Sequence, residues 1–130
     1  AIIACSIMLF ACGGAKAPED VATKFITNIY NAKTDDAVAM LYLDEEKEAD
    51  EKDMMTKKFN GMLPQHKKVI DEQAGGVKDI KASEAKLNDK KDKATVEVTV
   101  TFNKEFKGKS SKVETVNLKK VKDNWKVSIL

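Results

Sequence analysis

Residues 94–102 read Ala94-Thr95-Val96-Glu97-Val98-Thr99-Val100-Thr101-Phe102, ATVEVTVTF, an alternation without a break. Ala94, Val96, Val98, Val100 and Phe102 fall on one side of an extended chain; Thr95, Glu97, Thr99 and Thr101 fall on the other. A period of two over nine residues is the mark of a half-buried β-strand, one face dry and one wet. Working outward, VKDIKASEAKL (77–87) reads as a preceding strand. Its apolar phase slips between Ile80-Ala82 and Ala85-Leu87, which predicts a bulge. NDKKDK turns the chain into the central strand. Beyond it, the loop KGKSS leads to KVETVNLKKV. The turn KDN leads to NWKVSIL, where Trp125, Val127 and Ile129 alternate with Lys126 and Ser128. Four strands at hairpin spacing predict an antiparallel meander.

Upstream the period changes to that of a helix. Pro18 suits a first helical turn, with Glu19 and Asp20 at its positive end. Val21, Ala22, Phe25, Ile26 and Ile29 form one stripe, with Lys24, Thr27 and Asn28 off it, and Tyr30 closes the segment. Thr34 is a candidate N-cap for a short helix over DDAVAMLYL that buries Val38, Leu41 and Tyr42. Asp44 can cap a third, long helix whose apolar positions are Met55, Phe59, Met62, Leu63, Val69 and Ile70. Gly61 and Pro64 are expected to kink or split it, and Gly75-Gly76 to end it. Helices first and strands after predict an α+β fold, with N-terminal helices packed on one face of a four-stranded antiparallel sheet.

The chain has 130 residues, enough for one domain with a real core. Its net charge of +2, from 23 basic and 21 acidic residues, argues against nucleic acid as a partner. Cys5 and Cys12 are the only cysteines, so no disulfide can staple the remainder. AIIACSIMLFA (1–11) carries no charge. As a helix it reaches roughly 16 Å, short of the ~30 Å hydrocarbon core, and it has the length of a signal-peptide apolar region. A positive region is missing ahead of it, so the true start is expected a few residues upstream. Leu9-Phe10-Ala11-Cys12 resembles the lipobox of bacterial lipoproteins, in which a small residue precedes a cysteine that takes a diacylglycerol. Two or more acyl chains give stable anchoring, at about 0.8 kcal/mol per buried CH₂. The resulting division is a lipoprotein signal peptide at 1–11, a lipidated tether at 12–17 with Cys12 as attachment site, and a single α+β domain at 18–130. GGAKA is short and holds the body near the bilayer.

APEDVATKFITNIYNAKTDDAVAML resembles the opening of small bacterial lipoproteins that carry a domain of unknown function of the nuclear-transport-factor-like, or cystatin-like, superfamily. VNLKKVKDNWKVSIL is similar to the last hairpin of that family. The resemblance implies a strongly curved sheet wrapped around the first helices, with a cone-shaped pocket in some members. It implies no agreed activity.

Enzymes of this fold type place an Asp, His or Tyr in the cone. The single histidine, His66 in PQHKK, sits among lysines and reads as surface. One histidine and no cysteine in the body give no zinc site. LDEEKEADEKD lacks the glycine-bearing loop of a calcium hand and reads as a solvated helix face. No phosphate loop or serine nucleophile elbow is present. The threonines of the central strand read as β-propensity, and Met40, Met54, Met55 and Met62 as helical core filling. No catalytic residue, metal or cofactor is assigned, and the chain is not read as an enzyme. The expected role is that of a membrane-anchored cell-envelope lipoprotein, in the outer membrane if the cell is Gram-negative. Its domain binds another envelope protein or component. The alternative is a carrier or sensor of a small apolar ligand, with Phe25, Ile29, Tyr30, Val98, Val100, Phe102 and Trp125 lining the pocket.

Overall fold

The computed structural model describes residues 17–129. The expected leader at 1–11 and Cys12 lie outside them. Three helices come first: α1 (Pro18–Tyr30), α2 (Thr34–Val38) and α3 (Glu48–Ala74). Five strands follow: β1 (Val77–Ala82), β2 (Lys86–Leu87), β3 (Lys93–Phe106), β4 (Lys109–Val121) and β5 (Asn124–Val127). All pair antiparallel in one curled sheet of order β1-β3-β4-β5, with β2 also on β3. This is the α+β meander that the alternation around Val98 predicts.

The central strand behaves as its period requires. Ala94, Val96, Val98, Val100 and Phe102 are all buried, the three valines completely, while the threonine face is wetter. Each such valine contributes about 1.5–3 kcal/mol of transfer free energy. The strand expected before it is in fact two, because the chain leaves the ladder at Ser83–Ala85. Between the pairs Ala82–Val98 and Lys86–Thr95, four steps on one side oppose three on the other. That extra residue is the phase slip seen in the sequence. Ser83 donates both its backbone N–H (2.8 Å) and its hydroxyl (3.1 Å) to the Glu97 carbonyl, so the step-out leaves that carbonyl satisfied. The β4–β5 hairpin turns on Lys122 and Asp123, both at positive φ (50° and 68°).

Helix α1 lies across the sheet, against β1, β3, β4 and β5. Val21, Ala22, Phe25, Ile26 and Tyr30 are buried, and so is Asn28, which was placed off the stripe. The Asn28 amide reaches Met40 Sδ at 3.5 Å, and its carbonyl accepts from Lys33 N–H at 2.9 Å. The tight α1–α2 corner thus draws in a polar residue. Helix α2 is shorter than expected. Thr34 is its first residue, not its cap, and Leu41 leaves it to bridge Val127 in parallel. Backbone bonds from Tyr42 N–H to Val127 O (2.7 Å) and from Val127 N–H to Met40 O (2.8 Å) take the place of helical ones. Pairing with the sheet edge outcompetes another helical turn.

Asp44 does organise the approach to α3. Its carboxylate accepts from Glu46 N–H, and its own N–H donates to Glu51 Oε1. The helix then runs unbroken through Gly61 and Pro64, against the expected split. Helix interior proline costs one backbone bond, which burial of Phe59, Leu63 and Ile70 on both sides of it outweighs. Gly75 ends the helix at φ 70°, where the left-handed conformation favours glycine, and Gly76 N–H caps the Ile70 carbonyl at 3.2 Å. Of the methionines expected in the core, Met55 is buried, whereas Met54 and Met62 are 53% and 48% exposed. Among the described residues, no helix is long and apolar enough to cross a membrane.

Candidate binding groove

A groove of about 650 Å³ runs between α1, α3, β4 and the end of β5. Its size falls within the ordinary range for small-ligand sites, roughly 300–1,000 Å³. Two helices, β4 and the end of β5 supply its lining. Phe25, Ile26 and Ile29 come from the inward stripe of α1, and Phe59, Met62 and Leu63 from α3. On β4 the even-numbered residues face inward with Val116 and Leu118, which brings Glu114 to the groove as well. Val127 and Ile129 close the far side. Leu63, Val116 and Val127 are buried and belong equally to the core, while Met62 and Ile129 stand nearly half exposed at the rim. Thr115, Asn117 and Ser128 add neutral polar groups, and Glu114 is the one ionisable residue in the lining.

Polar side chains gather around Glu114. The Tyr30 hydroxyl, at the end of α1, donates to Glu114 Oε2 at 2.6 Å. Lys112 Nζ, two residues along the same face of β4, lies 3.5 Å from that oxygen. The His66 ring meets the Tyr30 ring edge-on, with centroids 4.9 Å apart and planes at 71°. Burial raises the Tyr30 phenol well above its ordinary range, and its bond to Glu114 and that carboxylate's charge push the same way. Burial lowers the His66 imidazole below its usual value, aided by Lys112 and opposed by Glu114. The ring's Nδ1 is buried and makes no hydrogen bond.

His66 is thus not the surface residue its lysine neighbours imply. Phe59, Leu63, His66 and Ile70 follow one another at helical spacing, and that stripe places the ring inward. The same kind of signal marks Glu114, which is in phase with Val116 and Leu118 on a strand whose apolar face is buried. Both residues were legible from period and were masked by composition. Of the residues expected to line a pocket, Phe25 and Ile29 line the groove, and Tyr30 stands at its head through Glu114. Val98, Val100 and Phe102 are packed into the core and do not line it. Trp125 is half-buried on β5, away from the groove, with Lys120 Nζ 5.9 Å from its ring centre. Cys12 lies outside the described residues.

A second depression, of about 700 Å³, lies between the α2–α3 connection and the β4–β5 hairpin. It is lined by Asp44, Glu45, Glu46 and Glu48 facing Lys52, Lys119, Lys120 and Lys126. Lys119 Nζ sits 4.3 Å over the Tyr42 ring.

Residues 10–128 match the model of a family described as Domain of unknown function (DUF4878). A crystal structure from Campylobacter jejuni, given the provisional description NTF2-like transpeptidase, is similar over 88% of this chain and 100% of its own. The two share 27% sequence identity, and the TM-score is 0.71. No curated protein matches the sequence.

Proposed function

Since the chain belongs to the DUF4878 family and shares the NTF2-like α+β fold, neither of which assigns an activity, we propose a role read from the groove. The protein is a binding module that takes a small apolar or amphipathic ligand between α1, α3 and β4. The observation that carries this reading is the lining itself: a single ionisable residue among aromatic and aliphatic side chains, with Met62 and Ile129 held out to solvent. Apolar side chains nearly half exposed around a concave surface are what a ligand would cover.

The module acts from a membrane. Leu9-Phe10-Ala11-Cys12 supports this, because a lipidated Cys12 followed by the tether GGAKA would hold α1 close to the lipid surface of the cell envelope. The mass of the N-terminus from native membranes tests the anchor: a diacylated or triacylated Cys12 is expected, and Cys12→Ser should release the protein to the soluble fraction. An unmodified Cys12 overturns that part alone.

The description of the Campylobacter jejuni protein raises a second reading, acyl transfer, and the cluster of Tyr30, His66 and Glu114 is what favours it. Covalent acyl transfer needs a nucleophile that a neighbouring base activates. Tyr30 has a carboxylate beside its hydroxyl, but burial and the charge of Glu114 raise its pKa and disfavour the phenolate. Binding is therefore the better-supported role. Displacement of a solvatochromic dye by fatty-chain ligands tests it: saturable binding is expected, weakened by Met62→Glu. Dye binding that ignores Met62→Glu would remove the groove from consideration.

A further inference from the structure

Glu114 is the one charged residue that lines an otherwise neutral and largely apolar groove. Its carboxylate is asymmetric in its bonding. Oε2 accepts the Tyr30 hydroxyl at 2.6 Å and faces Lys112 Nζ at 3.5 Å. Oε1 accepts no hydrogen bond from any described residue. A carboxylate accepts only and has about four lone-pair sites, and Oε1, which is not sealed from solvent, is open to a donor that enters the groove. His66 makes no hydrogen bond to it, and the Lys112 side chain is 55% exposed, so water screens much of its charge. The Glu114 side chain is only 27% exposed. Tyr30 holds it in place, and Tyr30 is itself fixed by burial and by the His66 ring.

We propose that the head of the groove is a subsite for a cationic, hydrogen-bond-donating head group. The ligand is then a single-chain amphiphile with a terminal ammonium, its tail laid along Phe25, Ile29, Phe59, Met62 and Ile129. This rests on the groove reading above and adds the ligand's polarity to it. An ammonium satisfies Oε1 and gains charge-assisted strength where solvent is partly excluded. A carboxylate or phosphate head would meet a like charge there, and a hydroxyl head would forgo the ionic part of the bond.

The test is titration calorimetry of the full chain with three ten-carbon probes: decylamine, 1-decanol and decanoate. Decylamine is expected to bind at least about tenfold more tightly than decanol, with decanoate weakest. Glu114→Gln keeps the side-chain shape and removes the charge. It should erase the advantage of the amine over decanol, and an unchanged far-UV circular dichroism spectrum and melting temperature report that the variant is folded. Tyr30→Phe, which frees the carboxylate to move, should lower the advantage without abolishing it. If all three probes bind alike, or the amine keeps its advantage in Glu114→Gln, the head-group subsite is wrong and the groove stands. If none binds, both fall.

Discussion

The two depressions of the molecule are nearly equal in size and opposite in chemistry. The cleft beside the β4–β5 hairpin holds four acids and four lysines, whereas the groove beside α1 holds one acid among apolar side chains. In the cleft most of the charged residues are exposed to water, so no single one is demanding. In the groove one carboxylate stands where solvent is thin, and its partners are specified one by one. Number of charges is therefore a poor guide to a site; the cost of leaving a charge unpaired is the better one.

The strongest way to break this contrast is to cut the groove's floor. Leu63 is 1% exposed and serves core and groove together. Leu63→Ala should destabilise the fold by about 2–4 kcal/mol in urea unfolding. A loss below about 1 kcal/mol would mean that the groove and the core are separable after all.

Next in size is the bond at the groove's head. Tyr30→Phe leaves the Glu114 carboxylate without its closest donor and should cost about 1–2 kcal/mol. Glu114→Gln retains an acceptor for the Tyr30 hydroxyl and should cost less. Equal losses in both variants would show that removing the charge costs as much as leaving the bond unmet.

The pH dependence sharpens the contrast further. Tyr30 from α1, and Lys112 and Glu114 from β4, surround the His66 ring of α3. The folded state holds His66 below its ordinary pKa, so between the two values the unfolded chain binds more protons. Stability from this group is complete above about pH 6.5 and is lost as pH falls through the lowered folded value. Chemical denaturation at pH 7.5 and pH 5 should show a drop that His66→Gln reduces. A drop of the same size in His66→Gln would assign it to other groups.

The smallest effects belong to the cleft and the rim. Glu46→Gln and Lys52→Gln should each change stability by less than about 0.5 kcal/mol, as exposed charges do. Lys119→Met, which removes the ammonium over Tyr42, should cost no more than about 1 kcal/mol. Met62→Ala should be equally mild for stability yet weaken ligand capture, a split no cleft substitution should show.

The sequence by itself determined the order of elements, the buried face of β3, the step-out at Ser83–Ala85 and the end of α3 at Gly75. Each of these follows from local spacing or from one residue's backbone preference, and neighbours along the chain suffice to express it. The inward positions of His66 and Glu114 were also written in the period, but a lysine-rich setting and an acidic side chain disguised them. Only the tertiary structure decided that they meet Tyr30. Residues 30, 66 and 114 come together because α1 crosses the sheet and α3 packs over the end of α1, and no spacing within one segment records that crossing. The same holds for the fates of Phe25 and Val98, both apolar and both in phase. One faces the gap between α1 and β4, and the other lies sealed beneath the helices, because the curl of the sheet places the gap at β4 and not at β3.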